Sequence, residues 1–156
     1  MSETVTRYAA DENAMLALGA AVGALTGGVG TLYLQGDLGM GKTTFSRGLL
    51  RGLGHTGSVK SPTFTIVEPY EIGEMRVFHF DLYRLIDPEE LEFFGIRDYL
   101  HADTLCLIEW PERGAGVLPA PDLAISIDVQ GEGRVLRFEP HSARARLWCD
   151  RLSEGV

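Results

Sequence analysis

The chain has 156 residues, 45% of them hydrophobic and 23% charged, which excludes intrinsic disorder and a fibrous repeat. One domain of this length buries roughly two thirds of its unfolded surface, so it needs neither disulfides nor a structural metal to fold. Fourteen Lys and Arg against 22 Asp and Glu leave a net charge of −8, so no global field draws the chain to DNA or an anionic membrane.

Residues 3–8 alternate as a strand does. Asp11 suits an N-cap, and Met15, Leu18, Val22 and Leu25 at helical spacing predict a helix over 12–26. Glycines at 27–30 end it, and 31–35 read as a short apolar strand. No charge occurs from Asn13 to Gly36, long enough to span a bilayer, and Gly19, Gly23 and Gly27 are spaced like a helix-packing motif. The glycine cluster and Gln35 break that stretch, so a buried helix, a turn and a buried strand are expected instead, with no membrane partner.

A glycine-rich loop covers 36–41, and a second helix follows over 42–53 with Phe45, Leu49 and Leu53 on one face. Residues 63–70 and 75–83 read as a hairpin. Asp87, Pro88 and Glu90 have the order of a helix start, running to about Phe94 before Gly95 stops it. Leu105–Ile108 is continuously apolar, as in a strand buried on both faces. Residues 123–129 alternate, 130–133 turn, and a strand carrying Leu136 and Phe138 follows. A closing helix over 142–153 is expected to point Leu147, Trp148 and Leu152 inward. The fold class expected is α/β: one domain over 1–156, a three-layer sandwich around a mixed parallel and antiparallel sheet.

Two cysteines, Cys106 and Cys149, make no disulfide framework, and without a CxxC the four scattered histidines (55, 79, 101 and 141) give no zinc site. The first residues carry no apolar core of a secretory signal, so a reducing cytoplasm is the expected compartment.

Gly36-Asp37-Leu38-Gly39-Met40-Gly41-Lys42-Thr43 matches G-x-x-x-x-G-K-[ST] in full, between a strand and a helix. Glycines let successive N–H groups face one anion, and the helix N-terminus adds a favourable dipole. Lys42 can reach the β- and γ-phosphates, Thr43 can place its hydroxyl on Mg²⁺, and Thr44 continues the cradle. Only two lysines occur in the chain, Lys42 and Lys60, and one holds the motif's position. An acid must complete such a site. Asp81 and Glu109 each end an apolar strand, where ligands of α/β sheets collect, and the residues alone leave the choice open. Ser61-Pro62-Thr63-Phe64-Thr65 offers hydroxyls to a γ-phosphate or metal, as switch segments do. Arg84 is either a charge neutraliser or a surface residue, and Arg144, Arg146 and Arg151 read as a solvated helix face.

GDLGMGKTTF, SPTFT, HFDLYRL and IEWPE, spread from Gly36 to Pro111, together resemble the TsaE family, P-loop ATPases of bacterial tRNA threonylcarbamoyladenosine synthesis. The resemblance implies an ATP-binding domain working with TsaB and TsaD to place threonylcarbamoyl on adenosine 37 of tRNAs reading codons that start with A. TsaD performs the transfer, and ATP hydrolysis resets the complex. It implies that Lys42 holds phosphates, Thr43 and Glu109 hold Mg²⁺, Asp81 positions water or metal, and Thr63 and Thr65 belong to a switch. The acidic charge suits a subunit that meets proteins and touches tRNA only through them. A small-molecule kinase is the competing class, but residues 112–121 offer only Arg113 as a lid arginine. A GTPase lacks its base-reading motif here, since the only Asn is Asn13. A nucleotide-sensing module with little turnover of its own is the third reading.

Overall fold

The computed structural model describes residues 4–37 and 39–154. Its frame is a seven-stranded sheet in the order β1-β7-β6-β2-β5-β4-β3, built from β1 (Val5–Ala9), β2 (Gly30–Gln35), β3 (Val67–Ile72), β4 (Met75–Asp81), β5 (Thr104–Glu109), β6 (Leu123–Gln130) and β7 (Gly133–Pro140). The centre is parallel, with β2 between β5 and β6 and β4 beside β5; β1–β7, β6–β7 and β3–β4 are antiparallel. Every residue of β5 is buried, as its unbroken apolar run requires of a central strand.

Three helices, α1 (Glu12–Thr26), α2 (Lys42–Gly52) and α4 (Ala143–Ser153), share one core with Leu32, Leu34, Leu105, Leu107, Ile125 and Phe138. Phe80, Cys106 and Ile108 point to the opposite face, which is covered by Leu82, Leu85, Leu91 and Ile96. The three-layer expectation therefore holds, with a thin third layer: it contains only the four-residue α3 (Glu90–Phe93) and 3₁₀ turns.

The Asp11 side chain accepts from Ala14 N at 2.9 Å and starts α1 where its sequence predicts. The charge-free stretch resolves into α1, a turn and β2, and no described helix is long and apolar enough to cross a membrane. Its small residues pack against α2: a Cβ built on Gly19 would stand 2.3 Å from Phe45 O, and one on Gly48 2.3 Å from Leu16 O. The two backbones thus approach as closely as glycine permits, which fixes α2 against α1.

Three expectations change. The first hairpin strand begins at Val67, because 63–66 turn instead: Ile66 N donates to Pro62 O at 2.7 Å, and Ile66 takes φ 71°. The helix signal at Asp87 yields a single turn, with the Glu90 carboxylate accepting from Ile86 N and Asp87 N. Leu147 points outward and is 66% exposed, since Ala145, Trp148, Cys149 and Leu152 already form the buried stripe of α4. Of the first expected strand, Glu3 lies outside the described residues.

Candidate functional site

Lys42 opens α2 immediately after Gly41, which takes φ 103° and offers no side-chain cap. A side chain at that φ would be strained, and without a cap the first N–H groups of an eleven-residue helix remain available to an anion. Gly39, Gly41, Lys42, Thr43, Ser61, Thr63, Asp81, Glu109 and Trp110 line one cleft of about 300 Å³. It lies at the C-terminal ends of β4 and β5, where Asp81 and Glu109 are register partners on adjacent parallel strands.

The Lys42 ammonium is 6% exposed and has no hydrogen-bond partner among the described residues. Its nearest neighbours are Glu109 Oε1 at 3.9 Å and the Trp110 ring, 4.1 Å from Nζ to centroid. Burial pulls its pKa below the usual lysine value, opposed by Glu109, Asp81 and other nearby acids. A buried cation with unused donors, beside free helix N–H groups, suits a phosphate.

The Asp81 carboxylate is fixed on both sides: Tyr83 N donates to Oδ1 at 3.0 Å and Thr63 Oγ1 to Oδ2 at 3.2 Å. Ser61 Oγ lies 2.8 Å from Thr63 Oγ1, so the 61–63 segment is tied to the end of β4. Glu109 Oε2 meets His79 Nε2 at 2.5 Å. Two strained residues flank the acids. Ile66, a β-branched residue at positive φ, accepts from Asp81 N at 2.8 Å, and Trp110 (φ 56°) follows Glu109.

Asp81 and Glu109 with the Thr43 hydroxyl form a sparse set of hard oxygen donors on one cleft. Among the described residues no group of three or more His, Cys, Asp or Glu side chains is arranged to hold a metal alone. Such a set fits Mg²⁺, which keeps waters and shares its shell with substrate phosphates.

Thr65 is not brought to this cleft; its hydroxyl donates to Glu68 Oε2 at 2.6 Å. Leu38 lies outside the described residues. Gly36 and Asp37 line a neighbouring cleft with Trp110 and Glu112. Met40 and Thr44 lie on the other side of the loop, lining a pocket of about 190 Å³ with Ala9–Glu12 and Glu132–Arg134. Arg84 is exposed, its guanidinium 5.1 Å from the Phe64 ring centroid. Arg144 is engaged in structure as well as solvated: it forms a two-pronged pair with Asp122 at 3.0 and 3.1 Å.

Two residues escape sequence reasoning. Arg134 Nε donates to Met40 O at 3.2 Å and Nη2 to Gly39 O at 3.4 Å, so β7 steadies the phosphate loop. Only the sheet order brings β7 there, and no local motif marks this arginine. His79 stands in HFDLYRL two positions before Asp81, and strand alternation alone puts both on one face.

Comparison with known proteins identifies the family. Residues 9–136 match the family model of TsaE, described as threonylcarbamoyl adenosine biosynthesis protein TsaE. A Haemophilus influenzae protein named tRNA threonylcarbamoyladenosine biosynthesis protein TsaE is 51% identical over 85% of this chain and 87% of its own. The Bacillus subtilis protein of that name is 42% identical over 78% of this chain and 77% of its own. The crystal structure of Bacillus subtilis YdiB superposes with a TM-score of 0.83 at 30% identity, covering 99% of this chain and 97% of that one. The phosphate-loop cleft, the paired strand-end acids and these likenesses together establish that the chain belongs to the TsaE family.

Proposed function

We propose that the chain is a single P-loop ATPase domain that binds ATP with Mg²⁺ and hydrolyses it during threonylcarbamoyladenosine formation at position 37 of tRNAs reading codons that start with A. The observation that carries this reading is the convergence of Lys42, the free N-terminus of α2, Asp81 and Glu109 on one cleft. Relatives named for tRNA threonylcarbamoyladenosine biosynthesis supply the pathway. The cytoplasm is the compartment where that substrate is met.

In this reading the loop N–H groups and Lys42 bind the β- and γ-phosphates. Arg134 keeps the loop carbonyls turned away from the anion by donating to Met40 O and Gly39 O. Bound Mg²⁺ would neutralise phosphate charge as it develops. Thr43 and Glu109 would hold the metal, and Asp81 would position water or metal on the side facing Thr63. Thr63, through its bond to Asp81, connects the state of the site to the 61–65 segment, in which Phe64 and Thr65 are exposed. The pocket beside Ala9–Glu12 and Thr44 has room for the base on the far side of the loop. Trp110 closes the cleft beside Lys42.

The proposed partners are proteins of the TsaB and TsaD families, with tRNA reached through them, and hydrolysis resets the complex between turnovers. The test is phosphate release by the purified chain, alone and with those two proteins, alongside modification of unmodified tRNA. Stimulated hydrolysis together with repeated rounds of modification is expected. Full multi-round modification without ATP hydrolysis by this chain would reduce it to a nucleotide-sensing module.

A further inference from the structure

His79 is a costly way to fill its position. The side chain is 2% exposed; its strand neighbours on that face are Val77 and Asp81, with Leu107 opposite on β5 and Glu68 opposite on β3. An aliphatic side chain would fill the space without desolvating two ring nitrogens. Nδ1 has no hydrogen-bond partner among the described residues. Nε2 lies 2.5 Å from Glu109 Oε2 and 3.5 Å from Ser46 Oγ, and Ser46 in turn donates to the Lys42 carbonyl at 2.8 Å. A neutral ring with its proton on Nε2 meets this arrangement: it donates to the carboxylate and leaves no buried N–H unpaired.

From this geometry we infer that His79 is a positioning residue for Glu109. Its Nε2–H holds Oε2 from behind, which keeps Oε1 turned toward Lys42 and the cleft. Ser46, whose hydroxyl donates to the Lys42 carbonyl in the first turn of α2, packs beside the ring with Oγ 3.5 Å from Nε2. Partners of this kind behind a metal-binding group typically change affinity or activity by about 10- to 100-fold when removed. The inference rests on the ATPase reading above, in which Glu109 serves the metal.

The test uses His79→Leu, His79→Gln and His79→Asn in the full chain. Glutamine can place an amide N–H where Nε2 stands, whereas asparagine is too short. ADP affinity is measured in EDTA and again in Mg²⁺, with thermal melts, and ATP hydrolysis is followed with the TsaB and TsaD partners present. The expected result for His79→Leu is ADP affinity in EDTA within about twofold of wild type. Its Mg²⁺-dependent gain in affinity and its turnover both fall about tenfold or more. Glutamine restores most of both, and asparagine does not. If leucine fails to fold, the glutamine and asparagine pair decides the question by the same comparison. A leucine variant with the wild-type Mg²⁺ effect and turnover would overturn the inference. So would glutamine and asparagine variants impaired alike, in step with lost thermal stability. A wild-type chain showing neither a Mg²⁺ effect on ADP nor hydrolysis would instead overturn the ATPase reading, and this inference with it.

Discussion

Lys42 Nζ and Glu109 Oε1 stand 3.9 Å apart in a place nearly closed to water, too far for a hydrogen bond. Burial disfavours the lysine charge, and the carboxylate restores part of it. A phosphate entering the cleft supplies the missing acceptors. Lys42→Ala is therefore expected to raise the dissociation constant for ATP by tenfold or more, about 1.4 kcal/mol, while the chain keeps a cooperative melt. Calorimetric titration together with circular dichroism checks both halves. Wild-type affinity in the folded variant would remove Lys42 from phosphate binding.

Glu109→Gln separates binding from turnover. It keeps the shape of the acid and removes its charge, so ADP should still bind in EDTA within a few-fold of wild type. Phosphate release with the partner proteins should fall at least tenfold. Equal losses in EDTA binding and in turnover would place Glu109 at the nucleotide rather than at the metal.

Trp110 reports on the same event. Its ring receives the Lys42 ammonium at 4.1 Å, a contact worth about 0.5–2 kcal/mol that phosphate binding must exchange for stronger ones. With Trp148 replaced by Phe, ADP binding should shift the Trp110 emission, and Lys42→Ala should abolish the shift. An identical shift in the Lys42→Ala protein would show that the ring responds to something other than lysine withdrawal.

The crossing of α1 and α2 sets the stability of the phosphate-loop platform. A methyl on Gly48 would meet the Leu16 carbonyl at 2.3 Å, and backbone cannot swing aside as a side chain does. Gly48→Ala should destabilise the fold by about 3 kcal/mol, at the upper end of ordinary overpacking costs. Urea unfolding measures it, and a change under 0.5 kcal/mol would mean that the helices separate freely.

Much of this was legible in the chain itself. The N-cap at Asp11, the bounds of α1 and the glycine loop depend on local chemistry, and the structure reproduces them. The packing role of Gly19 was visible as a spacing, but its partner α2 was not, because spacing does not say which helix fills the groove. Residues 63–66 carry β-branched and aromatic side chains and so read as strand. The turn there is held by non-local bonds to Asp81, whose N–H donates to Ile66 O and whose carboxylate accepts from Thr63 Oγ1. Leu147 misled because an apolar residue one step off a stripe resembles part of it. Arg134 acts through the sheet order, and the meeting of His79 with Glu109 depends on β4 pairing with β5, which only the assembled sheet shows.

Asp122 governs acid stability far from the cleft. Burial alone would raise its pKa; bonds from Arg144, Thr31 N and Ser142 outweigh that and hold it below the ordinary aspartate value. A depressed carboxyl contributes stability that is present above its unfolded pKa of about 3.9 and is lost as pH falls through the folded value. Asp122→Asn should therefore be about 1 kcal/mol less stable near neutrality, with the gap closing below about pH 4. Melts from pH 7 to pH 2 test this, and a gap that widens in acid would contradict it.

The most direct test of the central claim is mass spectrometry of nucleosides from bulk tRNA in cells depleted of this protein. Threonylcarbamoyladenosine is predicted to fall on depletion, to return with the wild-type chain and to stay low with Lys42→Ala. An unchanged level on depletion, or full rescue by Lys42→Ala, would contradict the claim that ATP turnover at this cleft serves that modification.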